Sequence, residues 1–367
     1  MGMATSPTES PQTSPRAIAG RSTWSRGKRV LLAAIVACLV AASSFAIVAE
    51  IQSLTSQSNF HSCPGCPPAL FGHVSILSDS TGKVVATIPI GYDIGGMAYD
   101  TGKGEVFVTI AGSGNVGVIS DSSRTVVATI HLVATDLAYD AARGEIFATN
   151  SNGGQPTGSL SVISDTTNTV LTSVALGMNP GAPVYDSGKG EVFVANSGSD
   201  SVSAVNDTTH SIVATISVGS VPQALAYDPG KGEVFVANEA SDNVSIIDDT
   251  TDTVVATVTV QGGPGGVTYD SRTGEVFVTN EGADNVSVIN DTSNSVVATV
   301  PVGSIPMAVT YDGWLSEIIV GNEGSNNVSV IADSNDTVAA TVPLGGFPEA
   351  AVYDGGVRAT FVAWASL

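Results

Sequence analysis

The sequence predicts an all-β fold whose main domain is a seven-bladed β-propeller of four-stranded antiparallel blades. Three observations support this prediction. A Tyr-Asp pair recurs seven times at nearly constant spacing. Each interval carries four short apolar segments separated by polar turns. The two ends of the repeated region supply two strands each, and together these complete one further blade.

The Tyr-Asp pair marks a repeat of about 42 residues. Successive pairs are separated by 40, 46, 42, 42, 42 and 42 residues. Periods of roughly 40–45 residues are typical of repeat architectures in which each repeat is one supersecondary unit. The pairs are Tyr99-Asp100, Tyr139-Asp140, Tyr185-Asp186, Tyr227-Asp228, Tyr269-Asp270, Tyr311-Asp312 and Tyr353-Asp354.

Each repeat has the composition of four strands. In residues 265–303 the apolar segments are GGVTYD, GEVFVTN, NVSVIND and SVVATVPVG. They are rich in Val, Ile and Thr, and the turns between them are rich in Gly, Asn, Asp and Ser. Segments such as VFV and VVATV are apolar on consecutive residues, so we expect both faces of these strands to be buried between neighbouring sheets.

The ends of the repeated region indicate how the ring closes. Before the first Tyr-Asp pair the chain supplies only a third and a fourth strand, in residues 73–79 and 83–91. After six complete repeats it supplies only a first and a second strand, in residues 349–354 and 358–365. We expect these four strands to form one shared blade, because pairing the two ends in one sheet leaves no unprotected terminal repeat.

The repeated segments resemble those of a known family. VFVTN, VFVAN and VSVIND, followed by VVATVPVGSIP, are similar to the repeats of YVTN-family propellers, which include YncE-like periplasmic proteins and archaeal surface-layer-type proteins. The resemblance covers residues 71–367 and implies an extracytoplasmic seven-bladed propeller. Three departures stand out: Ile110 in place of Asn, Trp314 in a turn, and the insertion NSNGGQPTG in the second blade.

The N-terminal 70 residues differ in composition from the repeats. Residues 1–29 are rich in Ser, Thr, Pro and basic residues, and we expect them to be a disordered cytoplasmic segment. Residues 30–49 are uncharged and long enough to cross a bilayer, and the basic residues before them favour a cytoplasmic N-terminus. Residues 50–70 form a linker to the propeller.

Residues 30–49 have alternative interpretations. A signal sequence cleaved near the small residues Ala42–Ser44 would release the propeller from the cell. The segment IVAC, which ends at Cys38, loosely resembles a lipoprotein box. We adopt neither alternative and interpret residues 30–49 as a single-pass anchor that leaves the propeller outside the membrane.

The charge of the exported part argues against nucleic acid as a partner. Residues 30–367 contain eight basic and 33 acidic residues, a formal net charge of −25. Such a surface repels phosphate backbones. A solvated, salt-tolerant exterior is the simplest reading of this charge.

Polar residues present in nearly every repeat are interpreted as architectural. An Asn ends the second strand, where its side chain is expected to bond the turn backbone. A Glu begins the same strand and is expected to be a surface charge of the hairpin turn. These residues are Asn150, Asn196, Asn238, Asn280 and Asn322, and Glu105, Glu145, Glu191, Glu233, Glu275 and Glu317.

Function is therefore sought in residues that break the repeat. In three consecutive blades a Glu follows the turn Asn, and an Asp stands nearby, on the face that carries the second turns and the blade-to-blade crossings. We hypothesise that this acidic patch binds a cation or a basic partner, a solvated loop charge being the alternative. Its residues are Glu239, Glu281, Glu323, Asp200, Asp242 and Asp284.

No catalytic, cofactor or metal site is predicted. The four histidines, His61, His73, His131 and His210, are scattered and form no triad or metal-ligand spacing. The inner strands, such as GGMAYD and GAPVYD, suggest a central channel lined by small or apolar residues. A lactonase-type or lyase-type propeller would need a convergent polar set there, so this enzyme class is kept as an alternative.

Two further sets of residues carry hypotheses about modification. Cys63 and Cys66 form a C-x-x-C motif in the linker, for which we expect a local disulfide; a dimeric metal site, a redox pair and an intermolecular bridge are the alternatives. Six sequons are candidates for N-glycosylation: Asn206, Asn243, Asn285, Asn290, Asn327 and Asn335.

Together these inferences describe a non-enzymatic propeller displayed at the cell surface, which binds or scaffolds through the loops of one face. The expected partner is a protein or a glycan of the cell envelope. A structural component of a surface coat is the second alternative.

Overall fold

The computed structural model describes residues 71–151 and 157–366. The predicted cytoplasmic segment, the apolar segment 30–49, the linker with Cys63 and Cys66, and His61 lie outside these residues. Within the described ranges no helix combines the length and the apolar character that crossing a bilayer requires.

Seven four-stranded antiparallel sheets make up the described chain. The first four complete blades contain the following strands: blade 1, β3 (Ile94–Asp100), β4 (Glu105–Ile110), β5 (Asn115–Ser120) and β6 (Thr125–Ile130); blade 2, β7 (Asp136–Asp140), β8 (Glu145–Asn150), β9 (Ser159–Ser164) and β10 (Thr169–Ala175); blade 3, β11 (Pro180–Asp186), β12 (Glu191–Asn196), β13 (Ser201–Asn206) and β14 (Ser211–Ser217); blade 4, β15 (Pro222–Asp228), β16 (Glu233–Asn238), β17 (Asn243–Asp248) and β18 (Thr253–Thr259).

The remaining three blades include one built from both ends of the described chain. Their strands are: blade 5, β19 (Pro264–Asp270), β20 (Glu275–Asn280), β21 (Asn285–Asn290) and β22 (Ser295–Pro301); blade 6, β23 (Pro306–Asp312), β24 (Glu317–Asn322), β25 (Asn327–Ala332) and β26 (Thr337–Pro343); blade 7, β27 (Phe347–Asp354), β28 (Ala359–Ser366), β1 (Phe71–Ser78) and β2 (Lys83–Tyr92).

Blade 7 has the strand order β2-β1-β28-β27. Strand β1 pairs with β28 in an unbroken antiparallel register, from Phe71 opposite Ser366 to Ser78 opposite Ala359. A buried hydrogen bond crosses this pairing, because the indole Nε1 of Trp364 donates to Ser75 Oγ at 2.8 Å.

The core lies between the blades rather than within one layer. The second strand of each blade is buried on both faces, and its central aromatic residue packs against the next blade. Phe235 of blade 4, for example, packs with Val276 and Val278 of blade 5. The same position is a fully buried Phe in six blades, whereas blade 6 has Ile319. The six are Phe107, Phe147, Phe193, Phe235, Phe277 and Phe361.

The prediction that VVATV segments are buried on both faces is wrong. These segments form the fourth, outermost strand of each blade, and their side chains are largely exposed: Val127, Val255 and Val297 are 50%, 52% and 53% exposed. Blades radiate from the axis and are therefore farthest apart at the rim, where neighbouring sheets no longer cover them. A short apolar run in the sequence does not distinguish a buried second strand from an exposed fourth strand.

The Tyr-Asp pair connects turns and blades. The Asp is buried, and one of its carboxylate oxygens accepts hydrogen bonds from the backbone of the following turn, as Asp186 Oδ1 does from Gly188 N at 2.8 Å and Lys189 N at 3.0 Å. The Tyr hydroxyl donates to an Asp that follows the third strand, as Tyr185 does to Asp207 at 3.1 Å. The repeated pair is thus explained by architecture alone.

Candidate functional site

The first strands of all seven blades line a central cavity of about 560 Å³. Small residues predominate in its wall because seven strands converge there. Gly96 illustrates the constraint, since a Cβ atom at this position would lie 2.6 Å from the Cα of Asp136 in the next blade. Two side chains from outside the first strands, Glu281 and Glu323, also reach the cavity.

Glu239, Glu281 and Glu323 occupy equivalent positions in blades 4, 5 and 6. Each begins a 3-10 turn directly after the buried Asn that ends the second strand. All three are half-buried. Burial raises the pKa of Glu281, and the charges of Glu239 and Glu323 raise it further. The structure therefore brings these three predicted residues together at the mouth of the channel.

The three predicted aspartates have a different position. Asp200, Asp242 and Asp284 are exposed, adopt left-handed backbone conformations with φ of 49°, 50° and 52°, and bond to the backbone of the crossing to the next blade. Asp200 Oδ1 accepts a hydrogen bond from Val221 N at 2.9 Å, and Asp242 Oδ1 accepts one from Gly263 N at 2.9 Å. Asp284 Oδ1 accepts one from Ile305 N at 3.0 Å. Their carboxylates hold the crossings in place instead of lining the channel.

Two carboxylates in the channel wall were not predicted. Burial raises the pKa of Asp136 to about 6, although the Leu137 N–H, 2.8 Å from Oδ1, opposes the shift. Burial, followed by the charges of Asp93 and Glu323, raises the pKa of Glu349 to about 7. The expectation that small or apolar residues line the channel is therefore wrong at these two positions.

A signal for both residues is present in the sequence. When the inner strands are aligned on the Tyr-Asp pair, Glu349 occupies the position of Gly95, Gly181 and Gly265. Asp136 occupies the position of Gly96, Ala182, Ala224, Gly266, Ala308 and Ala350. Each is thus a charged exception at a position that is mostly small in the other blades.

The ionisable side chains that line the central cavity are all acidic. Its ionisable residues are Asp136, Glu281, Glu323 and Glu349, and no Lys, Arg or His of the described chain lines the cavity. Over the described ranges no three His, Cys, Asp or Glu side chains are close enough together to hold a metal ion. Carboxylates spread over several blades suit a ligand with separated positive charges better than a single ion.

The repeated Asn residues are architectural, but through different partners from those expected. The amide of Asn238 is fully buried and donates to Ser245 Oγ and Asn243 Oδ1, both at 2.9 Å. Asn322 makes the equivalent bonds to Ser329 and Asn327. These acceptors are side chains of the third strand and not the turn backbone, because the Asn side chain points along the sheet.

The repeated Glu residues at the start of the second strand are not fully solvated surface charges. They are half-buried or buried, and Glu191 is 5% exposed with its Oε2 3.2 Å from Lys189 Nζ. Burial raises the pKa of Glu105, Glu233, Glu275 and Glu317 as well. The cause is that these turns pack against the neighbouring blade.

The described histidines lie far apart in the fold. His73 stacks on Trp364 with ring centroids 4.4 Å apart, and burial lowers its pKa. His210 Nε2 lies 3.2 Å from Glu145 Oε2, and His131 Nδ1 lies 2.8 Å from Asn115 Oδ1. The central cavity is lined by none of these three.

The predicted sequons differ in accessibility. Asn335 is exposed, whereas Asn285 is buried and donates to Ala283 O. The other four are half-buried. Two of them, Asn206 and Asn290, accept hydrogen bonds from the backbone of the turn that follows. Accessibility favours Asn335 among the six.

Comparison with solved structures finds chains of similar fold. Kuenenia stuttgartiensis hydrazine synthase matches with a TM-score of 0.65 and 14% identity, over 76% of this chain and 97% of that chain. A functionally unknown protein from Desulfotomaculum acetoxidans DSM 771 matches with a TM-score of 0.64 and 17% identity, over 76% and 96%. At these identities the similarity concerns the fold alone.

Comparison of sequences points to one family. No match was found among curated proteins. Residues 159–265 match the family model described as a YNCE-like beta-propeller. Together with the seven blades of the structure, this match supports a YncE-like β-propeller.

Proposed function

We propose that this propeller is a non-enzymatic binding or scaffolding protein of the cell envelope, and that it binds a positively charged partner at the acidic mouth of its channel. Residues 30–49 would direct the propeller to the outside of the membrane. They would act either as a permanent anchor or as a signal sequence that is removed on export. The partner class is a basic protein segment or a cationic component of the envelope.

One observation carries the proposal. Glu281 lies between Glu239 and Glu323 closely enough that both charges raise the pKa of its carboxyl group, and Glu349 continues the acidic surface into the channel. Like charges held together in a partly buried wall are costly unless a cation neutralises them. The net charge of −25 for residues 30–367 adds long-range attraction for basic partners.

The test measures binding of a lysine decapeptide and of spermidine by isothermal titration calorimetry. We expect replacement of Glu239, Glu281 and Glu323 by Gln to weaken binding at least tenfold. A control variant replaces Glu105, Glu233 and Glu275 by Gln; it changes the net charge equally but acts at the opposite end of second strands, those of blades 1, 4 and 5. Equal loss of binding in both variants would show only non-specific attraction and would contradict the proposal.

An enzymatic function of the lactonase or lyase type is the second candidate. It is favoured by Asp136 and Glu349, whose pKa values are raised to about 6 and about 7 inside the channel. Perturbed carboxyl groups in a cleft are typical of general acids and bases. A screen of lactone and uronate substrates, with Asp136→Asn and Glu349→Gln as inactive controls, tests this candidate.

A structural coat component is the third candidate. The exposed Val residues of the outermost strands, such as Val255 and Val297, favour lateral contacts between copies. Analytical ultracentrifugation across a concentration series tests it, and a chain that remains monomeric at high concentration would argue against this function.

A further inference from the structure

Cationic side chains bridge most neighbouring blades on the face opposite the acidic mouth. Each comes from the turn between the first and second strands of one blade and reaches an Asp that follows the third strand of the next. Lys231 Nζ, for example, lies 3.1 Å from Asp291 Oδ1. The five bridges join Lys103 to Asp165, Arg143 to Asp207, Lys189 to Asp249 O and Asp252, Lys231 to Asp291, and Arg272 to Asp333.

The junction between blades 6 and 7 departs from this pattern at two positions. Leu315 occupies the place that Lys189 and Lys231 have in their blades, so no ammonium of the chain extends from this turn. Ile319 occupies the place of the buried Phe found in the other six blades. Both changes remove side-chain volume from the same interface, because that Phe packs against the following blade.

The two changes coincide with a cavity of about 120 Å³. Leu315 and Ile319 both line it, together with the carboxylates of Asp79, Asp312 and Glu317. The carboxylates at these three repeat positions contact cationic side chains in other blades. Asp291, equivalent to Asp79, lies 3.1 Å from Lys231 Nζ; Asp140, equivalent to Asp312, lies 3.8 Å from Arg143 Nε; and Glu191, equivalent to Glu317, lies 3.2 Å from Lys189 Nζ. Within the described residues none of the three forms an ion pair with Lys, Arg or His. The other residues of the wall are mostly aliphatic and include Leu77, Val330, Ala340 and Val342.

Arg358, whose charge acts on Asp79, does not line this cavity. The guanidinium of Arg358 lies over the ring of Trp314, with Cζ 3.4 Å from the ring centroid. Its charge lowers the pKa of Asp79, but burial and the charge of Asp312 outweigh it and raise that pKa to about 6. Burial, followed by the charges of Asp312 and Asp79, also raises the pKa of Glu317. The carboxylates here remain short of positive charge.

We propose that the cavity between blades 6 and 7 binds a primary alkylammonium group, supplied either by a free aliphatic amine or by a lysine side chain of a partner protein. The carboxylates of Asp79, Asp312 and Glu317 would receive the ammonium, as the carboxylates at the equivalent positions receive the cationic groups of Lys231, Arg143 and Lys189. The aliphatic wall would receive the alkyl chain. This site lies on the opposite face from the acidic mouth and does not depend on the proposed function.

The wall favours an alkylammonium over a divalent metal ion. Ca²⁺ takes about six to eight oxygen ligands, and Mg²⁺ retains several waters, whereas most residues around this cavity offer only carbon atoms. A cavity of roughly 150 Å³ admits a benzene-sized guest, so the volume here suits a short alkyl chain. Five of the six other junctions hold a cationic side chain from the corresponding turn, which shows that this carboxylate arrangement accepts a cation with an alkyl stem.

The test uses the full-length chain and follows the midpoint of thermal unfolding and calorimetric binding at pH 7.5. The probes are n-butylamine, Nα-acetyl-lysine amide, n-butanol and CaCl₂. We expect saturable binding of at least one of the two amines, a rise in the unfolding midpoint, and no such effect of n-butanol. Tighter binding of the lysine derivative indicates a partner side chain, and tighter binding of butylamine indicates a free amine.

Three variants locate the binding. Ile319→Phe restores the ring of the other blades and is expected to weaken amine binding at least tenfold while leaving the carboxylates in place. Leu315→Lys supplies a tethered ammonium and is expected to abolish amine binding and raise the unfolding midpoint. Val357→Lys, at the corresponding turn of blade 7, is the control and should leave amine binding unchanged. Absence of amine binding, binding of Ca²⁺ instead, or unchanged binding in Ile319→Phe would overturn the proposal.

Discussion

The hydroxyl oxygen of Tyr227 in blade 4 lies 3.2 Å from Oδ2 of Asp249, which follows the third strand of the same blade. Asp186 of blade 3 is a second carboxylate neighbour of this hydroxyl group. Burial and the two carboxylates together hold the pKa of Tyr227 well above its usual range. The hydroxyl group therefore remains protonated and links one blade to the next. At the junction of the chain ends, Tyr99 has the same relationship to Asp354 and Asp121.

Removal of this hydroxyl group should destabilise the propeller. Hydrogen bonds to charged groups contribute about 1.5–3 kcal/mol, and this substitution removes the donor that Tyr227 provides to Asp249 Oδ2. We expect Tyr227→Phe to lower the free energy of unfolding by about 1–3 kcal/mol, as measured by urea denaturation. Tyr92→Phe is the control, because Tyr92 is exposed and its Tyr-Asp dipeptide lies outside the seven regularly spaced pairs. An equal, small effect of both substitutions would show that the bond has no net role.

Glu349 should make stability depend on pH. Its pKa is raised from 4.5 to about 7, mainly by burial, so between these values the folded chain binds this proton more tightly than the unfolded chain does. The free energy of unfolding contributed by this group therefore falls as the pH rises from about 4.5 to about 7. Because the channel is open to solvent, we expect a change of about 1–2 kcal/mol.

Glu349→Gln should remove that part of the pH dependence. Comparison of urea unfolding at pH 5 and pH 7.5 for both proteins gives the difference directly. Glu233→Gln is a control at a carboxyl group outside the channel. If wild type and Glu349→Gln lose the same stability between the two pH values, the pKa of Glu349 is not raised by its site.

Val221 is held in a conformation that β-branched residues rarely adopt. Its φ is 56°, with Asp200 Oδ1 2.9 Å from its N–H and Glu239 N 3.0 Å from its carbonyl oxygen. The left-handed conformation costs such a residue roughly 1–2 kcal/mol. Glycine avoids this cost, but its greater conformational entropy in the unfolded chain offsets part of the gain in stability. We expect Val221→Gly to leave stability unchanged or to raise it by up to about 1 kcal/mol.

The equivalent position in blade 5 provides the reverse substitution. Gly263 has φ of 67°, and a Cβ atom there would meet nothing closer than 3.6 Å. Gly263→Val therefore tests backbone strain without a steric clash, and we expect it to lower the free energy of unfolding by about 1–2 kcal/mol. Thermal unfolding of both variants decides the matter; a stabilised Gly263→Val protein would show that strain at these crossings is negligible.

Gly96 should be intolerant of even a methyl group. A Cβ atom would lie 2.6 Å from the Cα of Asp136, and relief of this overlap requires the backbones of blades 1 and 2 to separate. Overpacking of this kind costs about 1–3 kcal/mol. We expect Gly96→Ala to cost that amount in denaturant unfolding, whereas Gly181→Ala, whose Cβ would lie 3.3 Å from Gln223 O, should cost less. Similar losses in both would contradict the close approach at Gly96.

Much of the candidate site could be anticipated, and part of it could not. Glu239, Glu281 and Glu323 were predicted because only three consecutive blades carry a Glu after the turn Asn, and the structure brings them together. Asp136 and Glu349 are absent from that pattern, each occurring in a single blade. Their raised pKa values depend on burial in a channel that exists only when seven blades converge.

The sequence by itself determined the all-β class, the seven blades and the four strands in each, because the period, the turn residues and the strand-length apolar segments are local and repeated. Only the tertiary structure decided which apolar segments are buried, since VFV and VVATV read alike but lie at different distances from the axis. It likewise decided that the changes at Leu315 and Ile319 open one cavity. The physical reason is that burial, and the charge that a carboxylate experiences, depend on neighbours about 40 or more residues away in the chain, which no local pattern specifies.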